Sequence, residues 1–405
     1  MSCSQWNVKR LKELCEYKTG RLNSNAAEEY GKYPFFTCSP EVYKINSFSF
    51  DQDAVLLAGN NANGKFHIKY YNGKFDAYQR TYVMKSKNNQ KIDNVYLYYY
   101  LAMKLNYLKD ISVGSATRFL TKSLLDNIEI KYPNYIEMKR IGTILRNIDN
   151  KIELNNEMNK TLEEMAQTLF KRWFVDFEFP NEDGEPYKSS GGEMVDSELG
   201  MIPKMWNCGS VSDISEKIYS GGTPKTSEEL YWNGELAWMS SGETRNNFIT
   251  KTDKKITNLG VKKSSTKLSN KYDTVIASAG QGLTRGQTSL LLIDTYINQS
   301  LICIKAKKEL AFFTYINLKA RYEELRAISD SHSIRGSLTT KMISQMQTII
   351  PTDSVISKFN EIVSPILKNI ESNLYQREEL IEMRDLLLPK LISGEIALDD
   401  LKADL

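Results

Sequence analysis

The chain has 405 residues, too many for one ordinary domain and enough for two or three. Its composition, 41% hydrophobic and 25% charged, is that of a globular protein and excludes a largely disordered chain. The formal net charge is only +3, so any basic surface must be local.

Cysteine usage and hydropathy indicate the compartment. The five cysteines have no metal-ligand spacing and are odd in number, which indicates free thiols in a reducing environment. The N-terminus lacks an apolar core of signal-peptide length, and no run of about 18 apolar residues is present to span a membrane. The sequence therefore predicts a cytoplasmic protein with no membrane partner.

Residues 1–133 come first and mix short alternating stretches, such as 53–59 and 81–85, with short helices, which predicts a mixed α/β domain. Residues 59–66 (GNNANGKF) have the glycine and lysine spacing of a phosphate-binding loop. Phe66, however, stands where such a loop needs Ser or Thr to hold Mg²⁺. We interpret the segment as a glycine-rich turn between strands, which lets the backbone approach a ligand closely.

Residues 134–178 predict a long helix. From Ile141 to Leu169, apolar residues recur every three or four positions, and the other faces are charged. So narrow an apolar stripe is typical of a coiled-coil seam. Asn134, with Glu137 three residues later, resembles a capping box at the start of this helix.

Residues 179–197 are rich in Gly, Ser, Pro and acidic residues and predict a linker. A second mixed α/β domain is predicted at 198–352, a second long helix at 353–394 and a short tail at 395–405.

The second long helix has two features of its own. Gly394 stands where a glycine would end it. Pro365, which removes a backbone hydrogen bond, is expected to kink it.

The chain is an imperfect repeat of itself. Trp6 recurs as Trp206 at an offset of 200 residues, Gln79 recurs as Gln299 at 220, and nine identities relate the two long helices at 218. The drifting offset indicates that the globular parts diverged by insertion while the helices kept their length. Both ends of the second domain then meet one end of the helix pair if the helices are antiparallel. The sequence therefore predicts an α+β fold, with two mixed α/β domains separated by two long antiparallel, coiled-coil-like helices and related by a pseudo-two-fold.

Residue types that suggest catalysis lack the right setting. Asp126, Glu137 and Lys139 have the types of a metal-dependent nuclease triad, but Glu137 and Lys139 open a helix instead of lying on a strand edge. The two histidines, His67 and His332, form no relay that recurs in both halves. We therefore expect a binding protein with no catalytic residue and no metal site.

Residues 250–271 carry seven lysines against one carboxylate, Asp253. Such a segment is either a solvated loop or a surface that contacts DNA phosphates, which supply much of the affinity of DNA-binding proteins. Base edges would be read by Arg, Asn and Gln, which make bidentate contacts to guanine and adenine. The candidate DNA-binding residues are Asn60, Asn61, Asn63, Lys65, Arg80, Arg118, Arg245, Asn246, Asn247, Lys251, Lys254, Lys255, Lys262, Lys263, Gln281, Arg285, Gln287 and Arg335.

Apolar residues gather at the ends of both long helices, with more area than two thin helices can hide from water. We expect them to be buried against a partner protein. They are Trp173, Phe174, Phe177, Leu387 and Leu391.

Several segments closely resemble specificity subunits of Type I restriction–modification systems, over nearly the whole chain. The first domain fits less well, because it lacks Gly-Gly-Thr-Pro. The segments are 170–177 (FKRWFVDF), 198–206 (ELGMIPKMW), 221–224 (GGTP), 231–234 (YWNG), 237–238 (AW) and 384–394 (RDLLLPKLISG).

The resemblance implies two target-recognition domains, each reading one half of a bipartite site in double-stranded DNA. It also implies that the helices set the spacing and dock two methyltransferase subunits, that restriction subunits join the full complex, and that S-adenosylmethionine, ATP and Mg²⁺ are used by those partners and not by this chain.

The length of the helices and the sequences of the two domains add two expectations. The 28 residues from Ile141 to Leu169 would span roughly 42 Å, or about 12 base pairs, which predicts an unread middle of about 5–8 base pairs. The candidate reading loops of the two domains differ, so we expect a non-palindromic site.

Two alternatives remain open at this point. One is an enzyme acting alone, a nuclease or nucleotide hydrolase, which would show metal-dependent DNA cleavage or ATP turnover. The other is a stand-alone, repeated DNA- or RNA-binding adaptor without restriction–modification partners, which would bind RNA or scrambled DNA as well as any one duplex sequence.

Overall fold

A computed structural model of the chain describes residues 6–62, 64–87, 91–115, 117–280, 282–330, 336–396 and 398. The chain divides into two compact units. Unit 1 comprises residues 1–153 and 377–405, and unit 2 comprises residues 154–376. We refer to the globular part of unit 1 (residues 6–133) as head 1 and to that of unit 2 (residues 198–352) as head 2.

The secondary structure alternates short strands with short helices until each long helix begins. The strands of the first half are β1 (Asn7–Arg10), β2 (Cys15–Thr19), β3 (Tyr33–Phe36), β4 (Val42–Ile45), β5 (Phe50–Ala58), β6 (Asn60–Ala62), β7 (Ile68–Ala77), β8 (Thr81–Ser86), β9 (Thr117–Phe119) and β10 (Glu129–Tyr132). Its helices are α1 (Leu11–Leu14), α2 (Asn94–Met103), α3 (Leu105–Ile111), α4 (Lys122–Asp126) and α5 (Tyr135–Phe174).

The second half follows the same plan with more strands. They are β11 (Met194–Val195), β12 (Ile202–Pro203), β13 (Asn207–Ser210), β14 (Ser215–Ser220), β15 (Trp232–Met239), β16 (Phe248–Ile249), β17 (Lys254–Ile256), β18 (Lys267–Ser269), β19 (Thr274–Ala277), β20 (Thr288–Leu291), β21 (Thr295–Ile297), β22 (Leu301–Ala306) and β23 (Gln347–Ile350). The helices are α6 (Asn258–Lys262), α7 (Ala311–Ala320), α8 (Tyr322–Asp330), α9 (Thr340–Ser344) and α10 (Asp353–Ser393).

Head 1 is built on a mixed sheet with the strand order β2-β8-β5-β7-β3-β4. Because side chains alternate across a strand, β5 serves two cores. Val55 and Leu57 belong to the same buried cluster as Tyr96 of α2, while Leu56 belongs to a second cluster with Phe75. The alternating apolar sequence thus becomes a sheet that is covered on both faces.

Head 2 repeats this topology. Its main sheet has the order β14-β22-β19-β20-β16, and the first four of these strands match β2-β8-β5-β7 of head 1. The parallel pair β3 with β7 has its counterpart in β15 with β21: Phe36 lies opposite Ala77 in head 1, and Met239 lies opposite Ile297 in head 2. Alternate residues again feed two clusters, with Val275 and Cys303 in one and Ile276 and Ile302 in the other. The predicted internal repeat is therefore a repeat of fold.

The long helices run antiparallel, as the contacts inside each unit show. In unit 1, Arg384 Nη1 of α10 lies 2.9 Å from Asp149 Oδ1 of α5. In unit 2, Asn155 Nδ2 donates to Gln376 Oε1 at 2.9 Å and to the Asn373 carbonyl at 3.4 Å. Asn155 and Asn373 are equivalent positions of the repeat, so each helix meets its own counterpart there. The expected fold class is confirmed.

The ends of the long helices are set locally. Asn134 Oδ1 accepts a hydrogen bond from Glu137 N at 3.0 Å at the start of α5. Gly394 adopts a left-handed conformation (φ +79°) directly after α10, as expected for a terminating glycine. A Cβ at that position would overlap the Trp6 ring. Helix α10 continues through Pro365.

The prediction that the apolar residues at the helix ends await a partner is wrong for the most buried of them. Trp173 and Phe174 are only 4% and 3% exposed, because Trp206, Phe313 and Phe359 of unit 2 surround them. Of the remaining three, Leu391 is buried as well, whereas Leu387 and Phe177 are partly buried. Leu391 is fully buried in the core of unit 1, Leu387 packs against that core, and Phe177 packs against the core of unit 2.

Among the described residues, none of the helices is long and apolar enough to cross a membrane. The same part of the chain contains no cluster of His, Cys, Asp or Glu side chains arranged to hold a metal ion.

Candidate nucleic-acid interface

The structure brings three of the six head 1 candidates together on one short strand pair. Strand β6 pairs with β9, so that Asn60 lies opposite Phe119 and Asn61 lies opposite Arg118. Arg80 joins them, with its guanidinium 5.4 Å from the centre of the Phe119 ring. Two amides and two guanidinium groups from distant parts of the sequence therefore lie on or beside one strand pair.

Neighbouring groups hold these side chains in place. Asn60 Oδ1 accepts from Cys38 Sγ at 3.0 Å, and Arg118 Nη1 donates to the Ser112 carbonyl at 3.2 Å. Arg80 and Lys65 are exposed. Asn63 lies outside the described residues.

The described residues of the segment that resembled a phosphate loop form a strand and a turn. The segment continues into β7, whereas a phosphate loop leads into a helix that receives the phosphate at its N-terminus. Gly64 has φ +69° and carries the turn. This geometry agrees with the interpretation of residues 59–66 as a turn between strands.

The lysines of head 2 form an exposed basic surface, to which Lys251 also belongs. Lys254 and Lys255 lie on β17, and Lys262 and Lys263 lie at the end of α6; all four side chains face solvent. Lys254 Nζ lies 5.6 Å from the centre of the Trp232 ring, beside a cavity of about 490 Å³. An aromatic ring beside a row of cations is a surface that suits a nucleic acid.

Arg245, Asn247 and Gln287 line a cavity of about 300 Å³ in unit 2, and their neighbour Asn246 is exposed. Asn247, in contrast, is used internally. Its Nδ2 donates to Glu163 Oε2 at 2.6 Å, and its Oδ1 accepts from Lys319 Nζ at 2.5 Å. Burial raises the pKa of Glu163 and lowers that of Lys319.

Arg285 also has a structural task. Its guanidinium pairs with Asp330 and donates to the Gly336 carbonyl at 3.2 Å, and only 13% of the side chain is exposed. The geometry therefore favours a structural role for Arg285, which connects the end of α8 to Gly336, over a role in reading bases. Gln281 and Arg335, predicted beside it, lie outside the described residues.

Two exposed glutamines were missed as candidates, although the repeat pairs them. Gln79 and Gln299 occupy equivalent turns in the two heads. Gln79 is hydrogen-bonded to Asn23, and Gln299 is hydrogen-bonded to Thr223. Their identity at an offset of 220 residues was the signal that marked them.

Comparison with known proteins identifies the family. Residues 3–164 and 203–383 match the family described as "Type I restriction modification DNA specificity domain". The chain belongs to this family. The two matched regions contain head 1, all but the first five residues of head 2, and most of α5 and α10. As a member, the chain is a non-catalytic DNA-specificity subunit, and the expectation of a binding protein is confirmed.

One relative in the family is similar over nearly its whole length and another over half of its length. The chain is 28% identical over 423 aligned positions to the Type I restriction enzyme MjaIX specificity subunit of Methanocaldococcus jannaschii, covering 98% of this chain and 94% of that protein. It is 32% identical to the EcoDI specificity subunit of Escherichia coli over 53% of this chain and 50% of that protein.

A solved structure shares the fold. The S subunit of the Type I restriction–modification system from M. genitalium superposes with a TM-score of 0.68 at 16% sequence identity, covering 96% of this chain and 97% of that chain.

Proposed function

We propose that head 1 and head 2 each read one half of a bipartite, non-palindromic site in double-stranded DNA. The observation that carries this proposal is that the two heads share one sheet topology but present different chemistry. Head 1 offers Asn60, Asn61 and Arg118 on a strand pair, whereas head 2 offers exposed lysines and Asn246. A shared framework with different side chains suits two readers of different sequences.

The surface that would dock two methyltransferase subunits is on the helices, but not at the residues predicted from the sequence. Met165 of α5 and Met383 of α10 are equivalent in the repeat and are 51% and 48% exposed. Exposed methionines adapt to a partner surface. Two equivalent apolar positions supply one docking point for each of two methyltransferase subunits.

In this proposal the chain works in the cytoplasm with its methyltransferase subunits and, for cleavage, with restriction subunits. Those partners use S-adenosylmethionine, ATP and Mg²⁺, while this chain contributes the choice of sequence. The lysine surface would contact phosphates and Asn246 would contact a base.

Binding of the chain, assembled with its methyltransferase, to cognate and scrambled duplexes tests the proposal. Neutralising the four lysines of β17 and α6 should weaken binding to both duplexes and flatten the slope of log affinity against log salt. Asn246→Ala should instead relax one position of one half-site by about 1–3 kcal/mol, visible in the methylated sequence.

A matched variant distinguishes the effect of these four lysines from the effect of the overall net charge. Neutralising Lys188, Lys217, Lys307 and Lys308, which are also exposed in unit 2, removes the same charge elsewhere and should have a smaller effect. Equal losses from both sets, or equal binding of the unaltered complex to cognate DNA, scrambled DNA and RNA, would contradict the proposal.

A further inference from the structure

In each head, the loop after the first strand of the main sheet packs against a second chain segment at the edge of the sheet, and one backbone hydrogen bond joins the two. In head 1 the loop after β2 meets the turn between β7 and β8, where Gln79 N donates to the Leu22 carbonyl at 2.9 Å. In head 2 the loop after β14 meets the end of β21, and here the loop is the donor: Gly222 N donates to the Ile297 carbonyl at 3.0 Å. The crossing of the two segments is thus a feature of the shared framework.

A glycine fixes the crossing in both heads. A Cβ on Gly20 would overlap the Ala77 carbonyl, and a Cβ on Gly221 would overlap the Ile297 carbonyl. Gly20 and Gly221 follow equivalent strands, and Ala77 and Ile297 are equivalent residues. The two segments can approach so closely only because neither glycine has a side chain.

A pair of polar side chains closes each crossing, and we call this pair an amide clip. In head 1, Gln79 Nε2 donates to Asn23 Oδ1 at 2.9 Å. In head 2, Thr223 Oγ1 donates to Gln299 Oε1. Both glutamines are exposed, so burial in a core does not account for their recurrence.

The hydrogen-bonding capacity of the clips suits an acceptor ligand. An amide nitrogen carries two N–H groups. In head 1 the bond uses one N–H of Gln79 and none of Asn23, and in head 2 it uses the oxygen of Gln299 and neither of its N–H groups. Phosphate oxygens only accept hydrogen bonds, so they are suitable partners for the unused N–H groups of the clips. Bidentate recognition of adenine would need both the amide oxygen and the amide nitrogen of one glutamine. In each head one of these two atoms is already hydrogen-bonded within the clip.

Cationic side chains line the groove of the head 1 clip, and a lysine-rich segment packs against the loop of the head 2 clip. In head 1, Arg80 and Lys122 line the same groove of about 540 Å³ as Gln79. In head 2, a Cβ on Gly222 would overlap Ser265 Oγ, so the loop packs directly against the lysine-rich segment that contains Lys262 and Lys263. Positive charge next to N–H donors is the setting in which proteins bind phosphates.

We propose that the two amide clips, Gln79–Asn23 and Gln299–Thr223, are equivalent contacts to the phosphate backbone, one in each half-site. The inference rests on the proposed function and deepens it. The sugar–phosphate backbone is the part of DNA that does not vary between half-sites, and a contact that recurs in two heads with different reading surfaces belongs to it. The clips would fix the register in which the variable side chains meet the bases.

Gln79→Glu and Gln299→Glu test the proposal in the chain assembled with its methyltransferase. In head 2 a carboxylate still accepts from Thr223, so that clip remains closed while its N–H donors are lost and a negative charge is added. We expect each variant to bind both the cognate duplex, identified by methylation mapping, and a scrambled duplex more weakly, by the same factor, on the order of tenfold or more. The methylated sequence should stay unchanged.

Gln347→Glu is the control, because Gln347 is an exposed glutamine of β23 outside the clips and should bind DNA as the unaltered chain does. Unchanged thermal unfolding of the clip variants shows that the heads are intact. A change of the methylated base at one position would overturn the proposal in favour of base reading, and unchanged affinity of folded variants would overturn it altogether. Failure of the unaltered complex to prefer cognate over scrambled DNA would instead refute the proposed function.

Discussion

Glu163 in α5 and Lys319 in α7 are charged groups held half-buried in unit 2, with Asn247 hydrogen-bonded to both. Burial raises the pKa of Glu163 above its ordinary value of 4.5. The folded protein therefore holds this proton more tightly than the unfolded chain does. Ionisation of Glu163 costs the folded state free energy, and that cost begins as pH rises through about 4.5 and is complete above the raised pKa.

Glu163→Gln should show this cost directly, since it keeps an oxygen for Asn247 and removes the charge. We expect the free energy of unfolding of the variant, relative to the unaltered chain, to rise as the pH is raised from the ordinary pKa of 4.5 to above the raised pKa of Glu163, as measured by denaturant titration. Glu164→Gln, an exposed neighbour on the same helix, should show no such trend. A relative stability that fell with pH would mean that attraction to Lys319 outweighs burial.

Asn246 and Asn247 show what could be predicted at the residue scale. Both were candidates, because the sequence identifies side chains that are able to read bases. In the folded chain Asn246 is exposed, whereas Asn247 is hydrogen-bonded to Glu163 and Lys319, which are distant in sequence. Residue type can be read from the sequence, whereas the hydrogen-bond partners of a side chain depend on tertiary contacts. The sequence therefore defines the set of candidates, but not which of them remain available to contact DNA.

At the scale of elements, the ends of the long helices were predicted well and their burial was not. The cap at Asn134 and the terminator at Gly394 depend on residues within one or two turns. The burial of Trp173 depends on Phe359 and Trp206, which no local pattern connects to it. Periodicity predicts which face of a helix is apolar, but not whether the same chain covers it.

Trp173 and Met383 should therefore behave in opposite ways. Trp173→Ala removes a core side chain and should lower the free energy of unfolding by about 3–5 kcal/mol, measured by denaturant titration of the chain. Met383→Asp changes an exposed position and should leave unfolding nearly unchanged while weakening assembly with the methyltransferase, measured by analytical ultracentrifugation. The proposed docking surface is wrong if Met383→Asp assembles like the unaltered chain.

At the scale of the whole molecule, the repeat predicted two similar heads and a helix pair, because both follow from sequence periodicity and from chain connectivity. It did not predict the shared strand order, which depends on long-range pairing. The antiparallel contacts add a constraint on any change of helix length. Asn155 bonds to Asn373 and Gln376, so lengthening one helix alone would break a buried polar layer.

Lengthening both helices together should change the DNA site without changing what each head reads. Four residues inserted at Asn155 and four at its equivalent Asn373 add about one turn, or roughly 6 Å, to each helix, which corresponds to one to two base pairs. We expect methylation mapping of the double insertion, expressed with its methyltransferase, to show both half-sites unchanged and a gap longer by that amount. Insertion at Asn155 alone is the control and should lower stability. Altered half-sites with an unchanged gap would mean that the helices do not set the spacing.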